Sequence, residues 1–259
     1  MHGNLIIENL KIISSRYKFS EKILICPTFA IGHQILENLT REYSGFSWIN
    51  FKVKTILALA EEIAEEEIYE KNLKKISFLE TNFIIDEIFM DLAENARLKY
   101  FEKLLINTGI INAISGAIIE LKFAGVDAGD LDDNFFINKN KAHDIKLIYK
   151  LYDEKLKSRY LADSPDIINI AVKKLNRINF SLEEFNSIKT INEASKHSLN
   201  IISDIDRSKV FIIFARYNIE KIEKDFIKLL CGQDLIVIGE KKVFGFKRPQ
   251  KRLIPSDSF

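Results

Sequence analysis

Short apolar runs recur at both ends of the chain, each followed by an amphipathic helical pattern. This order constrains the fold more than any other feature. "KILICP", closing at Pro27, reads as a buried strand, and "AIGHQILENLTREY" after it places Ile31, Ile35, Leu36 and Leu39 on one helical face. "SWINFKVKT" alternates Ile49, Phe51 and Val53 as a second strand, and "ILALAEEIAEEEIYEKNL" is rich in strong helix formers. A helical pattern with Leu10, Ile13 and Tyr17 precedes the first strand. Strand–helix–strand–helix predicts a parallel βαβ unit, because parallel strands need a crossover connection and a helix supplies it. Sheet signals return late: "SKVFIIFARY", the helical "NIEKIEKDFIKLL", then "DLIVIGE".

Between these ends the period changes. Residues 76–122 carry helical spacing, as in Phe83, Ile84, Glu87 and Ile88, and in Ile110, Ile111, Ile114 and Ile118. "AGVDAGDLDDN" is a break, and "AHDIKLIYKLYDEKLKSRY" is a long amphipathic helix. "DSPDIINIAVKKL" is a marked helix start, with Ser164 expected as N-cap, Pro165 in the first turn and Asp166 near the positive end. The pattern predicts an α/β protein with more helix than strand. Its first part is residues 1–75, a helical insertion fills 76–200, and 201–259 return to the sheet and lead toward a further region.

The 259 residues include 38 basic and 37 acidic side chains, a formal charge of +1, so any DNA contact must come from a local patch. The two cysteines, Cys26 and Cys231, lie in apolar contexts and are expected as buried thiols of a reducing cytoplasm. His2, His33, His143 and His197 are scattered without Cys or carboxylate at ligand spacing, which argues against zinc. "DAGDLDD" lacks the regular oxygen spacing of a calcium loop. No cofactor is expected. No apolar run of 18 residues and no signal-peptide pattern is present.

Four stretches carry a resemblance: "KILICPTFAIGHQILENL" with "FKVKTILALAEEIAEE", "IIELKFAGVDAGDL", "HDIKLIYKLYDEKLKSRYLADSPDIINIAVKKL", and "KVFIIFARYNIEKIEKDFIKLL" with "LIVIGE". In this order they resemble the N-terminal helicase-like region of the B subunit of AddAB-type (RexAB-type) ATP-dependent helicase–nucleases, a RecBCD-like, superfamily-1-derived group. The second stretch matches an "ElK.aGv…dL" signature. The third, the most specific, matches "Dl..iY..Y...L" and "D..dll". The resemblance implies a RecA-like (P-loop NTPase-like) parallel sheet with a large helical insertion. It also implies double-strand-break repair and recombination as the setting. The partners implied are DNA, single-stranded or a duplex end, and an AddA-like (RecB-like) ATP-hydrolysing subunit. A nuclease domain would lie beyond residue 259.

Two departures bear on activity. A glycine-rich loop ending in Gly-Lys-Ser/Thr is absent: the segment before the first strand, "MHGNLIIENLKIISSRYKF", has Gly3 and no Gly-Lys-Thr. Where the family writes an "iDGF"-like turn with a metal-binding acid, this chain has Ile213, Phe214 and Ala215. Isoleucine offers a hard cation no oxygen. The expectation is a helicase-like fold without ATP hydrolysis. The alternatives are an ATPase domain whose phosphate loop is truncated or atypical, and a helical interaction domain with no DNA role.

Thr28 and Phe29 stand where superfamily-1 helicases place a "TFTN"-like DNA-contact motif, and Thr55 resembles a second such threonine. The competing reading makes both threonines helix caps and Phe29 core. Glu120-Leu121-Lys122 has the letters of a restriction-type nuclease core, but its surroundings have helical spacing. The tail residues Lys241, Lys242, Lys247, Arg248, Lys251 and Arg252, interleaved with Phe244 and Phe246, suit either nucleic-acid backbone contact or a solvated connector.

Overall fold

The computed structural model describes residues 2–42, 50–103, 107–132, 136–189, 209–214 and 218–238. The chain divides into two compact units. The first is Met1–Leu59, Lys173–Ile219 and Lys224–Phe259, and the second is Ala60–Val172 with Glu220–Glu223.

The first unit holds α1 (His2–Arg16), β1 (Glu21–Ile25), α2 (Phe29–Glu42), β2 (Phe51–Lys54) and the start of α3 (Ile56–Glu70). Later in the chain come β5 (Lys209–Phe214), α8 (Lys221–Cys231, its first turn assigned to the second unit) and β6 (Leu235–Ile238). The strands form a parallel sheet in the order β2-β1-β5-β6, with Leu24 opposite Val53 and Ile212, and Ile213 opposite Ile25 and Val237.

Both faces of this sheet are buried. Leu24, Val210, Ile212, Ile236 and Ile238 pack with Ile7, Leu10 and Ile13 of α1 and Leu39 of α2. The alternate residues Ile23, Ile25, Ile213 and Val237 are buried as well. That is why the strands read as continuous apolar runs. The helix-dominated α/β class with a parallel sheet is the one the sequence predicts, and it is consistent with a RecA-like fold carrying helical insertions.

Gly32 sets the approach of α2 to the sheet. A Cβ there would lie 2.2 Å from Cγ1 of Val53 in β2. Valine is stiff at χ1, so the clash cannot be relieved by a simple rotamer change. Gly32→Ala is expected to lower unfolding free energy by about 1–3 kcal/mol. A urea midpoint equal to that of the parent chain would contradict this packing. The same helix corrects one expectation: Ile31 is exposed, while Gly32 and Leu39 are buried and Ile35 and Leu36 pack, partly buried, against the sheet core.

The second unit holds most of α3, then β3 (Lys74–Lys75), α4 (Phe78–Glu94), α5 (Thr108–Phe123), α6 (Lys139–Ser158), β4 (Leu161–Ala162) and the first turns of α7 (Ser164–Lys189). Its core joins Ile84, Ile85, Ile88 and Phe89 of α4 to Ile111, Ile114 and Ile118 of α5 and to Ile148, Tyr149 and Tyr152 of α6. Ser77 caps α4 in a reciprocal box with Glu80. The helical spacing over 76–122 resolves into two helices, with a turn at Asn95 and Ala96, where Ala96 has φ 50°. The two-residue strands β3 and β4 pair in parallel, a contact with no signal in the sequence. The cap of α7 is Asp163, not Ser164: its Oδ1 accepts from Asp166 N at 3.0 Å, and Ser164 is the first helical residue. A carboxylate outcompetes a hydroxyl here because it bears the charge that the helix start favours.

Candidate nucleic-acid interface

In the first unit the chain leaves β1 toward β2 on one side and leaves β5 toward β6 on the other. Right-handed crossovers therefore place α2 and α8 on opposite faces, and the carboxyl ends of β1 and β5 form a topological switch point. Such crevices are where open parallel sheets bind ligands.

Pro27, Thr28 and Phe29 follow β1 at this edge. Thr55 follows the adjacent β2, which is tied to β1 by Cys26 N donating to Lys54 O at 3.0 Å. Thr28 Oγ1 accepts from Ile31 N at 3.3 Å and Thr55 Oγ1 accepts from Ala58 N at 3.1 Å, so both threonines cap helices. Capping does not exhaust them. A hydroxyl that accepts one hydrogen bond still has its own proton to donate, for instance to a phosphate oxygen.

Neither α2 nor α3 has an acidic residue in its first turn. Two positive helix ends thus open on one edge without an internal counter-charge. Phe29, the first residue of α2, is 47% exposed, against the alternative that made it core.

Ile213 is fully buried in β5 between Ile25 and Val237. Ala215 and the basic tail positions Lys241, Lys242, Lys247, Arg248, Lys251 and Arg252 lie outside the described residues. Cys26 and Cys231 are free and buried. Burial pushes the Cys26 thiol up to about 11 and raises that of Cys231 further.

The signature residues of the second unit do a different job. Glu120 and Lys122 lie on α5, Glu120 exposed and Lys122 buried, so no nuclease strand forms around them. Lys122 Nζ meets Asp163 Oδ2 at 2.7 Å, Asp166 Oδ1 at 2.9 Å and Asp153 Oδ1 at 3.4 Å. The Tyr152 hydroxyl donates to Asp163 Oδ2 at 3.1 Å and lies 3.0 Å from Thr81 Oγ1. Burial opposes the charge on Lys122, but Asp163 and then Asp166 outweigh it, and its pKa ends above the ordinary value. Burial and then the neighbouring Asp163 push the Asp166 carboxyl up to about 6, against the pull of Lys122.

Asp144, buried in α6, accepts from the backbone N–H of Lys99, Tyr100 and Phe101 at 2.7–3.1 Å. Tyr149 donates to Val126 O at 2.9 Å, and Leu156 is core. Asp144, Tyr149, Tyr152 and Leu156 are the fixed letters of "Dl..iY..Y...L", while Asp163 and Asp166 are those of "D..dll". These residues fasten helices and loops to one another. Among the described residues, no group of three or more His, Cys, Asp or Glu side chains is placed to hold a metal ion.

Local sequence pattern does not announce these contacts, because they join residues from 11 to 71 positions apart. The available signal was two tyrosines, Tyr149 and Tyr152, on the apolar face of a helix: buried hydroxyls need partners.

Among the described residues no helix is long and apolar enough to cross a membrane. No curated protein matches the chain. The model of the family described as "ADDB, N-terminal" matches residues 6–203, a span that takes in β1 and β2 as well as the fastened helices of the second unit. On that match the chain belongs to the AddB N-terminal family.

Proposed function

We propose that this chain is a non-hydrolysing, helicase-like domain of an AddB-type subunit that processes DNA double-strand breaks. It holds single-stranded DNA, or the frayed end of a duplex, at the switch-point edge of its sheet and is scaffolded against an AddA-like, ATP-hydrolysing subunit. The observation that carries the reading is the exposed Phe29 ring. Phe29 opens α2 directly after Thr28, and Thr55 caps α3 after the neighbouring strand; both hydroxyls have protons to donate, and neither helix start carries an acid. A base stacked on Phe29 and phosphates at Thr28, Thr55 and the helix ends would suit single strands of any sequence. The basic tail, Lys241 to Arg252, is proposed to add backbone contacts. Buried Ile213 supports the loss of the metal acid, and with it ATP hydrolysis.

The test is fluorescence anisotropy with a labelled single-stranded oligonucleotide. Phe29→Ala is expected to weaken binding about 10-fold, the worth of one stacked base. Its melting temperature should be unchanged, because the ring is half exposed. Affinity should fall steeply with salt. A parallel titration with Mg-ATP should show no saturable binding. Unaltered DNA affinity in Phe29→Ala would overturn the interface, and saturable ATP binding would overturn the silent pocket.

A further inference from the structure

The helix α4 has two apolar faces, and its own unit accounts for only one. Ile84, Ile85, Ile88, Phe89 and Leu92 are buried. At 100° per residue they fill one arc of the helix. Leu79, Phe83 and Met90 fall within about 40° of one another on the opposite arc. They are 62%, 64% and 47% exposed. Between Leu79 and Met90 the stripe runs about 16 Å, three helical turns. An outward helix face is ordinarily polar, and a contiguous apolar stripe there marks an interaction site.

The rim of the stripe says what would cover it. Asp86 borders it on one side and Glu94 on the other, and neither has a partner among the described residues. Next to Glu94 on the wheel is Glu87, already engaged by Lys155 and Arg159. The Arg159 hydrogen bond, then that of Lys155, hold its carboxyl near 2. The helix carries Glu80, Asp86, Glu87, Asp91 and Glu94 and no lysine or arginine. The unpaired Asp86 and Glu94 repel phosphate and so disfavour nucleic acid on the stripe between them. They also disfavour a second copy, which would bring acid against acid. An apolar stripe on a helix with unpaired acids on both flanks complements a helix with an apolar ridge and basic flanks.

We propose that the outward face of α4 docks an amphipathic, basic helix of a protein partner, with Leu79, Phe83 and Met90 taking its apolar ridge and Asp86 and Glu94 its lysines or arginines. The stripe is separate from the DNA-binding reading, since it lies on the second unit and its unpaired acids disfavour nucleic acid as occupant.

The experiment titrates the full chain into three labelled helical peptides of about 18 residues, long enough to span the stripe. One has a leucine ridge flanked by lysine, one the same ridge flanked by glutamate, and one the lysines with the ridge replaced by glutamine. The first is expected to saturate, and the other two to bind at least ~10-fold more weakly. Phe83→Ser with Met90→Ser should weaken the first peptide about 10-fold, with the melting temperature of the chain unchanged. Asp86→Asn with Glu94→Gln should weaken it a few-fold and flatten its salt dependence. Equal binding of the ridge-less peptide, or no effect of the Phe83/Met90 pair, would overturn the proposal. So would self-association by sedimentation that Phe83→Ser abolishes, because the stripe would then belong to a second copy.

Discussion

Lys122→Met is expected to cost about 3–5 kcal/mol of unfolding free energy at pH 7.5, the largest single-residue loss in the second unit. Methionine preserves the length and the packing against Tyr152. What it removes is the cation that Asp153, Asp163 and Asp166 share. The deficit should depend on pH in a definite direction. In the parent chain Asp166 titrates at about 6 when folded and at an ordinary 3.8 when unfolded. Its raised folded value contributes stability that is complete below about pH 4 and lost as pH rises through 6. Without Lys122 the carboxyls of Asp153 and Asp166, already raised by burial, are pushed higher still, so the variant suffers most at neutral pH and recovers as they take up protons. Urea melts of both chains at pH 7.5 and pH 5 measure this, at acidities where Glu87 stays ionised. A deficit that is equal or larger at pH 5 would show that Lys122 acts by packing rather than charge. Adding Asp163→Asn should return part of the loss, a coupling that two independent sites would not show.

Asp144→Ala should lose about 2–4 kcal/mol, because one carboxylate satisfies three consecutive backbone donors. The turn it holds leads into Phe101, whose ring packs on Phe89 of α4 with centroids 5.8 Å apart. The loss should therefore be felt in the core as well as in the loop. Hydrogen exchange at Tyr100 and Phe101 would report it locally, and Asp144→Asn, which keeps one acceptor oxygen, should restore roughly half. Unchanged protection of those amides would mean that the turn is held by packing alone.

The strands and helices were legible because burial leaves a period in the sequence. The runs at residues 23–26 and 235–238 are apolar on both faces since a parallel sheet covers both. The family signature was legible too, but its letters advertise fastening. What was not legible follows from the limits of local pattern. The β3–β4 pair is two residues on each side, and Lys74 and Lys75 carry no strand signature. Ser164 has the letters of a cap, yet Asp163 takes the role because Lys122, distant in sequence, makes its charge welcome there. Ile31 fits an apolar face by spacing, but Gly32 meets Val53 and turns that face away from it. At the sheet edge, Thr28 and Thr55 look like caps and are caps. What the structure adds there is the exposure of Phe29, which the sequence left open between core and surface.

The order β2-β1-β5-β6 also fixes a timetable for synthesis. β1 can pair with β2 as soon as both have emerged, but its other neighbour, β5, begins about 155 residues beyond the end of β2. At ordinary translation speeds the ribosome needs roughly 10–30 s to deliver it. Throughout that interval the most apolar strand of the nascent chain has one open side, a template for unwanted pairing. The intervening helices have mostly local contacts and can fold during the wait. Slowing elongation across the insertion should therefore increase aggregation of the nascent first unit while leaving the helical one intact.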